Sequence, residues 1–359
     1  MVLPLVESVI WTLVVVLVVI ILILVIYLKI LRRNIRIVAQ KKIKYTESIE
    51  GALVQYLYLE ETDENYIKEK KALIKKFKKG IINKRKRKII TETFFKLNEQ
   101  VSGKMIQITH NLFEEIGLLK YAVKKLRSKR WNIIALGIRD LNQFKVERTK
   151  HLVKKFVNHS RQEVRREAHL YFLELFEVKG LDFLDTLKVP LSEWDQIQLL
   201  GEIEKFESPE LLEVGKWLYS ENDYVIIFIL RIVKIFNKLE NKERLLELLQ
   251  HNNLEVRLKA IEVVTHFEIR EAADILIANY EELTIKEKVQ FFTLLEKVAT
   301  KEDSVFVLNH IYSDDFEIKH KSLHILKIID KSIYSRLEKT SEDESYNRII
   351  NYLDINYGI

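Results

Sequence analysis

Residues 253–260 read Asn-Leu-Glu-Val-Arg-Leu-Lys-Ala, and variants of this stretch recur along the chain. Their common feature is an apolar residue followed four positions later by a residue suited to a core. The pairs are Trp131/Ala135, Val164/Ala168, Trp194/Gln198, Tyr224/Phe228, Val256/Ala260, Ile285/Val289 and Ile318/Ser322. The spacings between successive pairs are 33, 30, 30, 32, 29 and 33. Such a period is the length of two short antiparallel helices with their turns, so the spacing predicts a helical repeat array.

Each of these pairs is expected to begin the second helix of a repeat. Residues that commonly cap helices precede them: Ser160, Ser192, Ser220, Asn253 and Asp314. Acidic residues, which complement the helix dipole, fall in the expected first turns: Glu163, Glu193, Asp223, Glu255 and Glu317. The first helices are indicated by apolar runs at Leu211, Leu212, Trp217 and Leu218, and at Leu245, Leu246, Leu248 and Leu249. One pair alone cannot bury both faces, whereas stacked pairs share a continuous core.

Three of the repeats resemble the HEAT family. The matching residues are Glu163-Val164-Arg165 with Ala168, Glu255-Val256-Arg257 with Ala260, and Glu317-Ile318-Lys319 with Ser322. The repeats at Trp194, Tyr224 and Ile285 lack the basic residue, and the resemblance covers roughly Lys129 to Arg336. Residues 190–194 and 217–223 are also similar to segments of bacterial membrane-anchored HEAT proteins of uncharacterised function. This resemblance implies an association with envelope or exopolysaccharide machinery. Because stacked helix pairs give a long curved surface suited to extended partners, the expected function is a scaffold or adaptor that binds a protein partner.

The composition agrees with an all-α chain. Three prolines and nine glycines in 359 residues are too few for the turns of a large β-sandwich or barrel. The absence of cysteine excludes disulfides, cysteine-ligated zinc, iron–sulfur clusters and thiol catalysis. The fold class expected from the sequence is therefore all-α, with an N-terminal transmembrane helix followed by a HEAT-like α-solenoid of antiparallel helix pairs.

The transmembrane helix is predicted from Ser8 to Leu28, a stretch that contains no charged residue. At 1.5 Å per residue this segment spans about 30 Å, the thickness of a bilayer hydrocarbon core. Glu7 is the charged residue before it, whereas Lys29, Arg32 and further basic residues follow. The positive-inside rule places the N-terminus outside the inner (plasma) membrane and the bulk of the chain in the cytoplasm. A cleaved signal peptide would need a basic n-region and a small-residue cleavage site, and a buried core helix would need a polar face. The segment has none of these features, so the sequence favours an uncleaved membrane anchor.

Charge is distributed unevenly along the chain. The net charge of +7 combines −1 at Glu7, +12 over residues 29–90, +8 over residues 91–160 and −12 over residues 161–359. The densest basic runs are residues 75–79 and 84–88. Three roles are open to these runs: a solvated face, attraction to anionic headgroups, or binding of nucleic acid. No recognised nucleic-acid module accompanies them, and this absence disfavours nucleic acid as a partner. The candidate contacts to anionic lipid are Arg32, Arg33, Arg36, Lys41, Lys42, Lys84, Arg85, Lys86, Arg87 and Lys88.

The predicted organisation has six parts. They are a tail (1–7), the transmembrane helix (8–28), a basic juxtamembrane segment (29–46), a basic helical region that is either degenerate repeats or a separate cap (47–128), HEAT-like repeats (129–335) and a capping helix (336–359). The candidate partner surface is Arg165, Arg257, Lys259 and Lys319. The alternative role for the basic residues that follow the anchors is a ladder of ion pairs or carbonyl caps within the array.

Motifs for chemistry are absent from the sequence. There is no phosphate-binding loop and no nucleophile elbow. His320 and His324 have the spacing of a zinc pair, but Lys-Ser-Leu between them supplies no catalytic glutamate, which favours two surface histidines. The sequence thus predicts no catalytic residue, no metal and no cofactor. An enzyme of lyase or hydrolase type on a HEAT-like array is the alternative, and it would need a cleft with convergent polar groups.

Overall fold

The structure is a computed structural model of the chain, and it describes residues 3–59, 66–101, 103–206, 213–337 and 341–356. Within these ranges the secondary structure consists of helices and turns, without a strand. The chain divides into two compact units, Met1–Thr149 (unit 1) and Lys150–Ile359 (unit 2). The predicted boundaries of the six parts are not tested by this division.

Unit 1 begins with one very long helix. Its helices are α1 (Leu3–Leu57), α2 (Tyr66–Ile82), α3 (Lys84–Asn98), α4 (Lys104–Glu115), α5 (Leu118–Leu126) and α6 (Trp131–Gln143). Every side chain of α1 from residue 15 to residue 44 is exposed, and burial begins around Ile49. The last part of α1 packs against α2, α3 and α4. The packed core of unit 1 therefore starts well after the apolar segment ends.

An aromatic cluster fills the core of unit 1. Phe94 lies between Phe77 and Phe144, with ring centroids 6.0 Å from each, and Phe113 stacks on Phe144. All four rings are almost fully buried. Edge-on and stacked arrangements of this kind add to the free energy gained by burying their area. These contacts join α2, α3 and α4 to the end of α6.

One helix in the described part of the chain is long and apolar enough to cross a membrane. It is the stretch of α1 from Val15 to Leu57, and its most apolar window is not buried in the protein. A signal sequence and a core helix of a soluble protein can pass the same test of length and composition. Membrane insertion and orientation therefore stay predictions.

Unit 2 is a succession of helix pairs. Its helices are α7 (Lys150–Val153), α8 (Gln162–Phe176), α9 (Glu193–Ile203), α10 (Asp223–Ile235), α11 (Lys242–Glu247), α12 (Leu254–His266), α13 (Arg270–Ala278), α14 (Ile285–Val298), α15 (Ser304–Leu308), α16 (Phe316–Ile329), α17 (Lys331–Arg336) and α18 (Glu344–Asn356). The second helices α10, α12, α14 and α16 pack side by side, and α18 packs against α16. A helical repeat fold is thus the architecture of this unit.

The first helices of the pairs are shorter than the sequence suggests. Several are single turns or 3₁₀ segments, such as Glu177–Thr186 and Gly215–Tyr219. The predicted apolar residues Leu245, Leu248 and Leu249 are buried as expected. Leu211 and Leu212 lie outside the described residues.

The register of the second helices corrects the sequence analysis. The buried residue at the third helical position is Val164, Asp195, Val225, Val256, Glu287 and Ile318, so the successive spacings are 31, 30, 31, 31 and 31. The anchors at Trp194, Tyr224 and Ile285 are wrong, because these side chains lie in the first two positions and are exposed. Trp131 is exposed as well. The corrected period is more regular than the expected one.

The capping predictions are confirmed in part. Ser192 and Asn253 cap α9 and α12, whereas α10 is capped by Asn222 and α16 by Asp315, one or two residues after the expected positions. Ser160 does not cap α8, since that helix follows Arg161 without a side-chain cap. The first-turn acidic residues are confirmed in all five helices: Glu163, Glu193, Asp223, Glu255 and Glu317.

Gly180 lies where the chain folds back on α8, and its missing side chain allows this close approach. A Cβ atom at this position would lie 2.2 Å from the carbonyl oxygen of Phe172. A Cβ at Gly201, within α9, would meet no atom within 4 Å. Alanine is also the better helix former. The two glycines therefore form a matched pair with opposite expected effects.

We expect Gly180→Ala to destabilise the protein by about 2 kcal/mol, because the backbone of α8 must move to relieve the clash. Gly201→Ala should stabilise it by about 0.5 to 1 kcal/mol. Urea-dependent proteolysis of the full-length chain in detergent measures both changes. Equal midpoints for the two variants would contradict this account of the turn.

Candidate functional site

Arg257, one of the predicted partner-binding residues, lies at the junction between two repeats. Its Nη1 donates to the carbonyl oxygens of His251 at 2.9 Å and Asn252 at 3.2 Å, which precede its own helix. Its Nε donates to Oε1 of Glu287 at 2.6 Å, and its Nη2 to Oε2 at 3.3 Å. One guanidinium therefore ties α12 both to the preceding turn and to α14 of the next repeat.

Glu287 is fully buried at this junction. Its carboxylate also accepts from the backbone N–H and the hydroxyl of Thr284, which completes a capping box at the start of α14. Burial by itself would raise the pKa of Glu287, but the bonds from Arg257 and Thr284 outweigh it and lower the pKa. The buried carboxylate is thus held in its charged form.

Two other junctions use related contacts. Lys319 bonds to Asp343 and to the hydroxyl of Ser345 at the start of α18, and this lysine holds the pKa of Asp343 well below its usual range. Arg165 donates to the carbonyl oxygens of His159 and Ser160. The bond to the next repeat is made there by Gln162, whose Nε2 lies 2.9 Å from Oδ2 of Asp195 and 2.6 Å from Oγ of Ser192.

The four predicted partner-binding residues differ in their contacts. Arg165, Arg257 and Lys319 make contacts within the array, of the kind expected for a ladder of ion pairs and carbonyl caps. Lys259 is partly buried on α12 and pairs with Glu262, three residues further on. A role of these residues in binding a partner stays a prediction.

A row of exposed apolar side chains was missed by the sequence analysis. Tyr224, Leu254, Ile285 and Phe316 occupy the first or second position of α10, α12, α14 and α16, and they are 44%, 37%, 54% and 59% exposed. We call these four residues the apolar row. Two of these residues stand out in the sequence, since Tyr224 and Ile285 are predicted anchors of the repeat, but both were expected to lie in the core. Trp194 occupies the second position of α9 and is also exposed.

Further along the same helices, charged side chains pair with one another. Glu262 accepts from Lys234 at 2.8 Å and also from Lys259. Glu296 accepts from Lys321 at 2.6 Å and lies 3.2 Å from His324 Nδ1. We define the polar row as these two clusters with the neighbouring residues of the same helices: Lys234, Lys259, Glu262, His266, Glu296, Lys297, Lys321 and His324.

Each carboxylate of the polar row is held by two basic side chains. Burial tends to raise the pKa of Glu262 and of Glu296, but the hydrogen bonds from their basic neighbours outweigh it, so that both pKa values are lowered. A depression of about 240 Å³ lies within this row, lined by Lys234, Glu262, Thr265, His266, Gln290, Thr293 and Lys297. The basic side chains here outnumber the acidic ones.

The candidate lipid-binding residues fall into two groups, which lie at different distances from the apolar segment along α1. Arg32, Arg33, Arg36, Lys41 and Lys42 are exposed on the helix itself. The group Lys84, Arg85, Lys86, Arg87 and Lys88 forms the first turns of α3. Lys86 Nζ lies 5.1 Å from the ring centroid of Tyr45, well beyond Leu28 along α1. At 1.5 Å per residue, this second group is about 25 Å from the end of the apolar segment.

Among the described residues, no group of three or more His, Asp or Glu side chains is arranged to hold a metal ion. The rings of His320 and His324 have centroids 6.3 Å apart. His320 lies near the rings of Phe316 and Tyr352, whereas His324 contacts Glu296. The two side chains thus have separate neighbours.

No protein-family model matches the chain, and no curated protein matches it. Among solved structures, the chain is similar to an engineered protein from a structural genomics consortium, with 14% identity over 84% of this chain and 87% of that one, at a TM-score of 0.34. It is also similar to Kap121p, solved bound to Ste12p, with 12% identity over 87% of this chain, 41% of the other, and a TM-score of 0.37. At TM-scores this low, neither likeness supports an argument about function.

The contacts between α12 and α14 predict the effect of replacing Arg257. Arg257→Met leaves the Glu287 carboxylate buried without its charged partner, and we expect a loss of about 3 kcal/mol in the free energy of unfolding. The double variant Arg257→Met with Glu287→Met should lose only about 1 kcal/mol, mainly the cost of the missing cap. Urea denaturation at pH 7 measures all three proteins.

Lowering the pH provides a second check. The pKa of Glu287 is lowered in the folded state, so its stabilising contribution is present above its ordinary value and is lost as the pH falls through the folded value. The advantage of the wild type over the double variant should shrink accordingly below about pH 4.5. Lys286→Ala, an exposed change beside Glu287, is the control. A double variant less stable than the single one would refute the pairing.

Proposed function

We propose that this protein is a membrane-anchored cytoplasmic scaffold that binds a protein partner through unit 2. The observation that carries the proposal is the apolar row. Large apolar side chains are costly to leave in water, and a contiguous set of them on a protein surface is typical of an interaction site. Four exposed apolar residues in the first turns of four neighbouring helices form such a set.

The dimensions of the row suit an extended partner. Packed helices lie about 8 to 10 Å apart, so the four residues span about 30 Å from Tyr224 to Phe316. The polar row lies on the same helices and offers fixed charges beside this apolar strip. A partner segment with apolar side chains along one edge and acidic groups along the other would match both rows. Such an extended binding surface is what stacked helix pairs commonly supply.

The anchor in this proposal is the apolar segment of α1. Its described side chains from Val15 to Leu28 are all exposed, so no described part of the chain covers them. Insertion in a bilayer would bury them, with favourable transfer energy at nearly every position. The basic residues that follow favour an orientation with the rest of the chain on the cytoplasmic side. A role in envelope or exopolysaccharide machinery is part of the proposal only through the resemblance to bacterial membrane-anchored HEAT proteins.

Contacts to anionic lipid would then involve the arginines of the first basic group and not the second group. Arg32, Arg33 and Arg36 lie about 6 to 12 Å beyond Leu28 along the helix, within reach of headgroups. Lys41 and Lys42, about 20 Å along the helix, and the group on α3, about 25 Å away, are more than two Debye lengths distant at physiological ionic strength. The basic run at residues 84–88 is therefore available to a soluble polyanion or an acidic protein surface.

The apolar row can be tested by quantitative crosslinking in membranes from the source organism. We expect the double variant Leu254→Ser with Ile285→Ser to lose at least about tenfold of its crosslinked partner, since two central contacts of the strip are removed. The matched control is Val305→Ser with Ile355→Ser, which removes two exposed apolar side chains outside the row. Equal partner yields for the two double variants would exclude the row as the docking surface.

The anchor can be tested by extraction at alkaline pH. The full-length protein should stay in the membrane pellet, whereas Ile20→Lys with Ile23→Lys should be released, because each lysine costs about 3 kcal/mol near the bilayer centre. A reporter at the C-terminus should be active only in the cytoplasm. Release of the wild type, or periplasmic activity of the reporter, would contradict the proposed topology.

A further inference from the structure

The exposed part of α1 has an apolar stripe with coiled-coil spacing. Leu28, Leu31, Ile35 and Val38 follow one another at intervals of three, four and three residues, and they are 52%, 40%, 59% and 58% exposed. This is the spacing of the a and d positions of a heptad, which lie on one face of a helix. The stripe begins at the last residue of the segment predicted to cross the membrane and continues beyond it.

The same stripe continues into the core of unit 1. After Lys42 and Tyr45 the three–four alternation reaches Ile49, Ala52 and Tyr56 without a break. These last three side chains are buried against the other helices of unit 1. One face of α1 is therefore used for packing along its last part, while the same face is left uncovered for the preceding three turns. The uncovered stripe is a continuation of an interface that the chain already forms.

Three of the five basic residues between Leu28 and Lys41 lie away from the stripe. With Leu28 and Ile35 at a positions, Lys29 and Arg36 fall at b and Arg33 at f, which are outward positions in a coiled coil. The charges of these three residues would remain in water when the stripe is covered. The other two, Arg32 and Lys41, fall at e and g and flank the stripe.

The flanking positions are compatible with a second copy of the same helix. In a parallel pair, the g position of one helix faces the following e position of the other. These facing pairs would be Tyr27 with Arg32, Asn34 with Ala39, and Lys41 with Thr46. None of them opposes two like charges, although the segment is strongly basic. This arrangement of charge is compatible with a parallel pair.

We propose that residues 28–41 of α1 form a parallel two-stranded coiled coil with the same residues of a second copy of the chain. Isoleucine at an a position and leucine at a d position, here Ile35 and Leu31, are typical of two-stranded coils. The pairing uses a different surface from the apolar row, so that it holds whether or not the row binds a partner. Membrane insertion would align the two helices side by side and raise their effective concentration.

The absence of cysteine from the chain makes a direct test possible. Single cysteines are introduced in the full-length protein, and isolated membranes are treated with a mild oxidant. A disulfide forms only where the two Cα atoms approach to within about 7 Å. We expect dimer yields at the stripe positions to exceed those at the other positions at least about fivefold. The variants are Leu31→Cys, Ile35→Cys and Val38→Cys on the stripe, Lys29→Cys, Arg33→Cys and Arg36→Cys at outward positions, and Ile30→Cys and Ile37→Cys on a third face.

The alternatives give other patterns. Uniform yields would indicate random collisions in the membrane, and a stripe covered by headgroups would give low yields at all eight positions. Yields that peak at Ile30 and Ile37 would place the contact on another face. Each of these three results overturns the proposal. The periodic pattern does not depend on the partner of unit 2, whose loss would affect only the crosslinking of the apolar row.

A matched pair of variants gives the second measurement. Ile35→Lys with Val38→Lys removes two stripe residues, and Ile30→Lys with Ile37→Lys makes the same kind of change at the outward c positions, where the side chains are also exposed. In detergent, sedimentation of the full-length wild type and of the second variant should give a dimer, and the first variant a monomer. A monomeric wild type, or identical behaviour of the two variants, would refute the coiled coil.

Discussion

The repeat architecture of unit 2 depends on burying the third residue of every second helix. This position recurs once in each repeat from Val164 to Ile318, and each of its residues is almost inaccessible to water. An apolar residue satisfies this constraint by burial alone. A carboxylate satisfies it only when donors surround it, and Glu287 obtains them from its own cap and from Arg257 of the preceding repeat. The buried charge thereby couples adjacent repeats, because neither partner is satisfied without the other.

This constraint explains how far the sequence could predict the fold. The helical class and the repeat period follow from residue spacing and from the scarcity of glycine and proline, and both agree with the structure. The register was wrong in the repeats whose third residue is Asp195 or Glu287, because hydrophobicity alone favours Trp194 or Ile285 nearby. It was also wrong at Tyr224, where two adjacent apolar residues compete and Val225 is the buried one. The pairing that makes a buried carboxylate acceptable connects residues of successive repeats, far apart along the chain, and no local pattern reveals it.

The same constraint bears on the residues predicted to bind a partner. Arg257 and Lys319 have the charge and the spacing of a binding surface, yet they complete junctions between repeats. Tyr224 and Ile285 have the composition of a core, yet they lie in water at the starts of their helices. In a repeat protein a regular row of charged residues can be a structural ladder, since every junction needs the same satisfied contacts. A regular row of exposed apolar residues has no such structural use, which makes it the stronger indication of a partner.

Helix α1 extends this reasoning to unit 1. A helix that stands free in water needs a polar surface on all sides, and α1 after Leu28 has basic residues on one side but keeps an apolar stripe on another. Insertion in a membrane, as proposed, would account for the apolar residues up to Leu28, and the core of unit 1 accounts for those after Tyr45. Between them, neither environment covers Leu31, Ile35 or Val38. Their heptad spacing, shared with the buried part of the same helix, is most simply explained by another helix of the same kind lying against them.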